Sequence, residues 1–199
     1  ACLKWPWQSP TPVQPFNEIL MRNYTCVKRF IGGLVGCALS VAMIHPTAQA
    51  GMITFGSGAN AFSMDFVEIG DPGNDADMTG NPDPAGSVGY TYSIGKYEVS
   101  RDQITKANNA GGLGITLDSM SLVIGVPRPD MPATGVTWFE AAKFVNYLNT
   151  SQGFSEAYKF DSNGNFQLWQ SGDPGYDASN LFRNSLANFV LPSADEWYK

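Results

Sequence analysis

Cysteine and histidine are missing from most of this sequence of 199 residues. All three cysteines and the single histidine, His45, lie within the first fifty residues, so residues 51–199 contain neither. Thiolate and imidazole are the ligands of most zinc sites and the reactive groups of cysteine and serine–histidine nucleophile systems. The composition of residues 51–199 therefore excludes these kinds of site within that range, and it also excludes a disulfide scaffold.

Charged residues are scarce as well. Asp, Glu, Lys and Arg make up 15% of the sequence, whereas about a quarter is usual in globular proteins. The net charge is −6, and it becomes −9 without residues 1–50, which hold four of the 12 basic residues and one of the 18 acidic ones. Such a surface repels phosphate backbones, so nucleic acid is not an expected partner. The 21 glycines, 13 prolines and 13% aromatic residues favour an irregular, turn-rich globular domain.

Residues 21–50 have the three parts of a secretory signal peptide. A basic start is followed by an apolar run over residues 30–44 and by a small-x-small end at Ala48 and Ala50. The apolar run is shorter than the ~20 residues of a membrane span, so no stable span is predicted. We expect cleavage between Ala50 and Gly51, and a periplasmic, cell-surface or extracellular location.

A second processing route stays open for the same segment. Residues 34–37 have the form of a lipoprotein box in which Cys37 would become the lipidated N-terminus. Residues 1–20 precede a plausible start at Met21 and are interpreted as an upstream extension. Only seven residues separate Arg29 from Cys37, which is short for lipidation, so cleavage after Ala50 is the favoured route.

After this leader the sequence predicts one domain with much irregular structure. Residues 51–65 are rich in Gly and Ser and predict a flexible leading segment. A short strand follows at residues 66–69, and residues 71–89 predict a long loop because they combine Gly, Pro and Asp without periodicity. Alternation over residues 90–99 predicts a strand that bends at Gly95.

Three helix starts have the residues of a capping box, in which Ser or Thr is followed three residues later by Gln or Glu. The pairs are Ser100 with Gln103, Thr137 with Glu140, and Ser193 with Glu196. The middle helix is the best defined, because apolar residues recur on one face and Gly153 follows as a stop. The face predicted to be core consists of Ala141, Phe144, Val145 and Leu148. Since strands and helices do not alternate as βαβ units, we predict an α+β fold.

The segment that begins at Asp161 has two interpretations. Asp161, Asn163 and Asn165 match the first three ligand positions of a calcium loop, but Phe166 and Gly172 stand where that loop needs Gly and Glu. The Asn-Gly pair between two apolar stretches favours a plain β-hairpin instead.

Asp71, Asn74, Asp75 and Asp77 form a second group of oxygen ligands, which calcium would prefer. Acidic residues in a Gly- and Pro-rich loop more often make local turns and remain solvated. The solvated loop is the favoured interpretation.

Three carboxylates and three tryptophans are the remaining candidates for a site. Glu140, Asp195 and Glu196 are acid/base candidates, although two of them already have a structural role in capping boxes. Trp138, Trp169 and Trp197 are candidates for a sugar-binding surface, although tryptophans beside helix starts and strands more often pack in a core. We therefore expect a structural role for most of these six residues.

Four segments, taken in order, resemble the formylglycine-generating enzyme family, also called the sulfatase-modifying factor domain. They are FVEIGDPGN, YTYSIGKYEVS, PATGVTWFEAAKFVNYLN and FVLPSADEWYK. Residues 94–100 match the family pattern Ile-Gly-x-Tyr-Glu-Val-Thr with Ser for Thr, and residues 132–138 match Pro-Val-x-x-Val-Ser-Trp. Residues 191–197 match Leu-Pro-Thr-Glu-Ala-Glu-Trp, with Ser193 for Thr and Asp195 for Ala.

The resemblance covers about residues 66–199 and implies the N-terminal part of a C-type-lectin-like α+β domain, truncated at its C-terminus. In the family a pair of cysteines binds copper and oxidises a sulfatase cysteine to formylglycine. Those cysteines and the calcium ligands follow the Glu-Trp segment, so the resemblance assigns no catalytic, cofactor or metal residue to this chain. Residues 187–190 also depart from the Gly-Lys-Arg that often precedes Leu-Pro-Thr, which implies a divergent exported branch.

The resemblance leaves three functions open. The first is an exported enzyme of the formylglycine-generating type, with copper and calcium in the complete domain. The second is a lectin-like module without catalysis that binds a protein or carbohydrate ligand, and the third is a structural cell-surface domain.

Overall fold

The structure, a computed structural model, describes residues 50–79, 82–119 and 128–199. The elements, in chain order, are β1 (Gly51–Phe55), a 3-10 turn (Gly58–Asn60), β2 (Phe62–Ile69), β3 (Tyr92–Gly95), α1 (Arg101–Gly111), α2 (Trp138–Ser151), β4 (Lys159–Phe160), β5 (Phe166–Gln167) and α3 (Ala194–Tyr198). The chain is mixed α and β with small antiparallel sheets, which agrees with an α+β class. The predicted upstream extension, the signal peptide up to residue 49 and the lipidation candidate Cys37 lie outside the described residues.

The prediction of a flexible leading segment at residues 51–65 is wrong. β1 pairs antiparallel with β2, from Gly51 opposite Phe66 to Phe55 opposite Phe62. The reason is a period-2 pattern within the segment. Ile53 and Phe55 are buried, whereas Met52 and Thr54, which alternate with them, face solvent. Gly56, Ser57 and Gly58 lie in the connection between the two strands, whereas Gly51 and Ser63 belong to the strands themselves.

β3 completes the sheet in the order β1-β2-β3, but the predicted strand of residues 90–99 is shorter than expected. β3 ends at Gly95, and the segment that follows pairs elsewhere, because the Ala133 amide donates to the Val99 carbonyl over 2.8 Å. An isolated bridge joins Ser100 to Pro132. The chain therefore leaves the sheet at Gly95, where the bend was predicted, and the residues after it lead to the start of α1.

The main core lies between the three-stranded sheet and helices α1 and α2. All four residues of the predicted apolar face of α2 are buried, which confirms that face: Ala141, Phe144, Val145 and Leu148. Phe189, from the segment before α3, packs edge-on against Phe55 with 5.1 Å between ring centroids and lies 5.7 Å from Phe66. This cluster supplies most of the buried apolar surface of the described residues.

Two buried asparagines on α2 connect the helix to segments without regular structure. The Asn149 amide oxygen accepts from the backbone amides of Asn188 and Phe189, and its nitrogen donates to the Phe189 carbonyl over 2.8 Å. Asn146 makes a similar pair of bonds with the backbone of Tyr158. Buried backbone groups need such partners, so these two side chains replace the strand neighbours that the segments lack.

The three predicted capping boxes are all present, with both reciprocal hydrogen bonds formed at each helix start. The predicted stop after α2 is also found. Gly153 has a φ of +79°, and its amide donates to the Thr150 carbonyl while the Phe154 amide donates to the Asn149 carbonyl. This is the pattern by which a left-handed residue closes a helix.

A second, smaller apolar cluster lies on the opposite face of the sheet. Val88, Tyr92 and Ile94 form its buried part, and Trp197 of α3 packs against them. The loop of residues 71–89 joins this cluster to α3. Within the described ranges, no helix has both the length and the apolar character needed to cross a membrane.

Candidate functional site

The most enclosed group of ionisable and polar side chains surrounds Glu196, a residue of α3 that is 4% exposed. We call Tyr90, Tyr92, Arg183, Ser193 and Glu196 the Glu196 cluster. One carboxylate oxygen accepts from the Tyr90 hydroxyl over 2.8 Å, and the other accepts from the Arg183 guanidinium over 2.8 Å and from the Ser193 amide over 2.6 Å. The Tyr92 hydroxyl donates to the Glu196 carbonyl.

The electrostatics of the cluster follow from these contacts. Burial by itself raises the pKa of the Glu196 carboxyl, but the hydrogen bond and the charge of Arg183, with the bonds from Ser193 and Tyr90, outweigh burial and lower that pKa to about 2. A general acid or base near neutral pH needs a pKa close to the working pH. Glu196 is therefore held as a permanent anion that connects three segments of the chain.

The other two carboxylate candidates also bind backbone amides. Asp195 accepts from the Gly86 amide over 3.0 Å and so attaches the loop of residues 71–89 to α3. Glu140 accepts from the amides of Thr116 and Thr137. Burial tends to raise the pKa of Glu140, but these bonds prevail and lower it. The structure thus gives all three acid/base candidates positioning roles and does not bring them together.

The side chains of the loop of residues 71–89 that were considered as calcium ligands also form hydrogen bonds within the protein. The Asn74 side chain donates to the Gly86 carbonyl over 2.7 Å and accepts from the Val88 amide, which closes the loop on itself. Asp77 accepts from the hydroxyl and the amide of Thr79, and the side-chain bond is the larger cause of its lowered pKa. The favoured interpretation of this segment as local turns agrees with these contacts.

The hairpin prediction at Asp161 is confirmed. β4 and β5 pair with Phe160 opposite Phe166, and Gly164 has a φ of +80° in the turn. The Asp161 carboxylate accepts from the amides of Asn163 and Asn165, and the bonds from Asn165 are the first cause of its lowered pKa. Asp161 therefore shapes the turn.

Neither metal implied by the family resemblance fits the residues that are described. In the described parts of the chain, no three Asp, Glu, His or Cys residues lie close enough together to hold an ion. Copper prefers thiolate and imidazole ligands, and residues 51–199 contain no Cys or His.

The three tryptophans occupy different environments. Trp197 packs on the second apolar cluster, and Trp169 is half-buried and donates from its indole nitrogen to the Ala157 carbonyl. Trp138, the first residue of α2, is 44% exposed. Only Trp138 meets the expectation of a surface aromatic, and the expected structural role fits the other two.

Trp138 belongs to a group of aromatic rings, three of them exposed and Phe166 partly buried, that local sequence patterns do not reveal. We call Trp138, Phe139, Phe166 and Phe182 the aromatic surface. Trp138 lies 5.5 Å from Phe139 and 5.1 Å from Phe166, and Phe182 is stacked on Phe166 at 6.1 Å. These residues are far apart in sequence, so only the Trp-Phe pair at the start of α2 offered a signal.

A surface cavity of about 520 Å³ lies beside Tyr97, between the chain before α1 and the segment that contains Pro129. Two of its carboxylates already have partners, because Asp102 pairs with Lys106 and Asp130 pairs with Arg128. The third carboxylate of the lining, Glu98, has no ion pair among the described residues.

Comparison with known protein families, curated proteins and solved structures finds no match for this chain. No family model matches the chain, no curated protein is significantly similar to it, and no solved structure matches it.

Proposed function

We propose that this chain is part of an exported domain of the sulfatase-modifying-factor type, with a C-type-lectin-like arrangement. In its complete form such a domain would oxidise a cysteine of a target protein to formylglycine. The observation that carries the proposal is the position of the three matching segments, residues 94–100, 132–138 and 191–197. Each of them leads into a helix through a complete capping box.

Contacts between the matching segments support the same proposal. The first two segments pair through the backbone, since the Ala133 amide donates to the Val99 carbonyl. The third meets the first in the second apolar cluster, where Trp197 packs against the cluster that includes Ile94. Motifs that are distant in sequence but adjacent in space form one framework, as a shared domain requires.

The proposal assigns the described residues to this framework and not to the oxidation itself. Copper would supply the redox chemistry, but no residue of 51–199 has a thiol or an imidazole to hold it. The Glu196 cluster has the properties of a structural element, because its carboxylate is saturated with hydrogen bonds. We derive no catalytic step from these residues.

Activity can be tested with the exported protein that contains this chain. The protein is incubated in air with copper and a peptide carrying the cysteine motif of sulfatases, and mass spectrometry follows conversion of the thiol to an aldehyde. We expect the aldehyde with the exported protein, and no turnover above a copper-only control with residues 51–199 alone. Absence of the aldehyde from the exported protein would reject the proposed activity.

Export itself is tested by sequencing the N-terminus of the secreted product. We expect the product to begin at Gly51, the first residue of β1. A lipid-modified Cys37 at the N-terminus, or retention of residues 21–50, would contradict this site of cleavage.

A further inference from the structure

We propose that the aromatic surface, Trp138, Phe139, Phe166 and Phe182, is a binding site for a neutral oligosaccharide. This inference goes beyond the proposed function and does not depend on formylglycine formation. It rests on the geometry, the size and the charge of the surface.

Trp138 and the stacked pair of Phe166 and Phe182 form two walls at right angles, and the Phe139 ring is tilted by 47° to Phe166. Trp138 is nearly perpendicular to Phe139, at 89°, and to Phe166, at 90°. Phe182 is almost parallel to Phe166, with 9° between the ring planes. The C–H groups on one side of a pyranose ring are apolar and weakly positive, so they pack favourably on the electron-rich face of an aromatic ring. Two perpendicular walls offer such faces to neighbouring sugar units.

The exposed area suits a small ligand better than a second protein. Trp138, Phe139 and Phe182 are 44%, 53% and 52% exposed. Since an aromatic side chain buries about 150–250 Å², these three rings together expose about 300 Å². This is the size of a functional patch on a monomer, whereas a stable protein interface needs about 800 Å² from each partner. The area therefore favours an oligosaccharide over a second copy of the chain.

Charge around the surface favours a neutral ligand. None of the four rings is charged, and three charged neighbours are already bonded: Arg183 pairs with Glu196, and the carboxylates of Glu140 and Asp161 accept from backbone amides. Apart from the Lys143 ammonium, the charged side chains next to the surface are therefore engaged in contacts within the chain.

Lys143 is a hydrogen-bond donor that is linked to the aromatic surface through the Phe160 ring. It lies one helical turn after Phe139 on α2, and its ammonium is 5.8 Å from the centroid of the Phe160 ring, which in turn lies 6.0 Å from Phe166. Within the described residues no carboxylate lies within ion-pair distance of Lys143. Ligand sites commonly combine apolar walls with a few such polar groups, and here the ammonium can donate to a sugar hydroxyl.

The test uses three neutral hexasaccharides as probes, namely cellohexaose, maltohexaose and chitohexaose. Binding to the exported chain is measured by calorimetry and by the change in tryptophan fluorescence. The double variant Phe139→Ser/Phe182→Ser removes two exposed rings and leaves the buried core unchanged. The control is Tyr97→Ser, which removes an even more exposed ring (67% exposed) from outside the aromatic surface.

We expect at least one hexasaccharide to bind, and the double variant to weaken its binding about tenfold or more, with less than a twofold change in the Tyr97→Ser control. Failure of all three sugars to bind would overturn the proposal, as would unchanged affinity in the double variant. The oligomeric state of the unliganded chain is measured by sedimentation. A dimer that dissociates in the double variant would identify the surface as a contact between copies of the chain and would overturn the proposal.

Discussion

The main core and the Glu196 cluster hold the same domain together by different means. The main core is a continuous apolar cluster between the sheet and two helices, and it includes fully buried Phe residues such as Phe189. The second apolar cluster has few fully buried side chains, and a buried carboxylate with its hydrogen bonds stands beside it. Where little apolar surface is buried, a charged network connects the segments, and that network is sensitive to pH.

The two capping boxes that use Glu sharpen this contrast. Glu140 and Glu196 hold equivalent positions in α2 and α3, and both accept from the amide of their N-cap residue. Of these two carboxylates, Glu196 is the one that pairs with Arg183, and it is also the more deeply buried. The same local motif thus serves as an exposed cap in one helix and as a buried ion pair in the other.

The largest effect is expected from Phe189→Ala. This change leaves a cavity between β1, β2 and α2 and should lower the free energy of unfolding by about 4 kcal/mol. Urea unfolding followed by tryptophan fluorescence measures it, and the loss should be the same at pH 7 and pH 4. A loss that depends on pH in this range would mean that the main core is coupled to the charged cluster.

Breaking the ion pair is expected to cost slightly less. Arg183→Met keeps most of the side-chain volume but leaves Glu196 as a buried anion without its cation, for a loss of about 3 kcal/mol at pH 7. Arg128→Met is the matched control, because its partner Asp130 is exposed and such pairs contribute about 0–1 kcal/mol. Equal losses in the two variants would contradict a special role for the buried pair.

Acid should weaken the Glu196 cluster selectively. The folded-state pKa of Glu196 is about 2, below its unfolded value near 4.5, so its contribution is fully present above about pH 4.5 and is lost as pH falls towards 2. The shift corresponds to at most about 3 kcal/mol. Unfolding of the native chain and of Glu196→Gln, compared at pH 6, 4 and 3, should show a smaller acid loss in the variant. Parallel pH profiles would assign the acid sensitivity to other groups.

The smallest effects are expected from the caps themselves. Thr137→Ala removes the N-cap hydroxyl of α2 and should cost about 1 kcal/mol, which thermal unfolding can measure. Thr105→Ala, at an exposed position within α1, is the control and should change stability by less than about 0.5 kcal/mol. A loss at Thr137 no larger than this control would show that the box contributes little to stability.

The sequence predicted the features that depend on neighbours along the chain. The capping boxes are i, i+3 pairs, the buried face of α2 follows the helical period, and the Asp161 hairpin follows from its Asn-Gly turn. The prediction nevertheless failed at β1, where the glycine content obscured a short alternating strand. The roles of Asn146 and Asn149 were missed as well, because a buried amide is recognised only by the segment that it contacts.

Only the tertiary structure decided which of the candidate residues meet. Glu196 contacts Tyr90, which is 106 residues away, and Asp195 contacts Gly86 across 109 residues; the aromatic surface likewise joins the start of α2 to Phe182. By itself the sequence determined the helix caps, the α2 face and the absence of thiol and imidazole after residue 50. It did not determine these long-range pairs, because the residues next to a carboxylate or a ring do not indicate its distant partner. Whether such a group is exposed, paired or buried depends on how the distant segments pack.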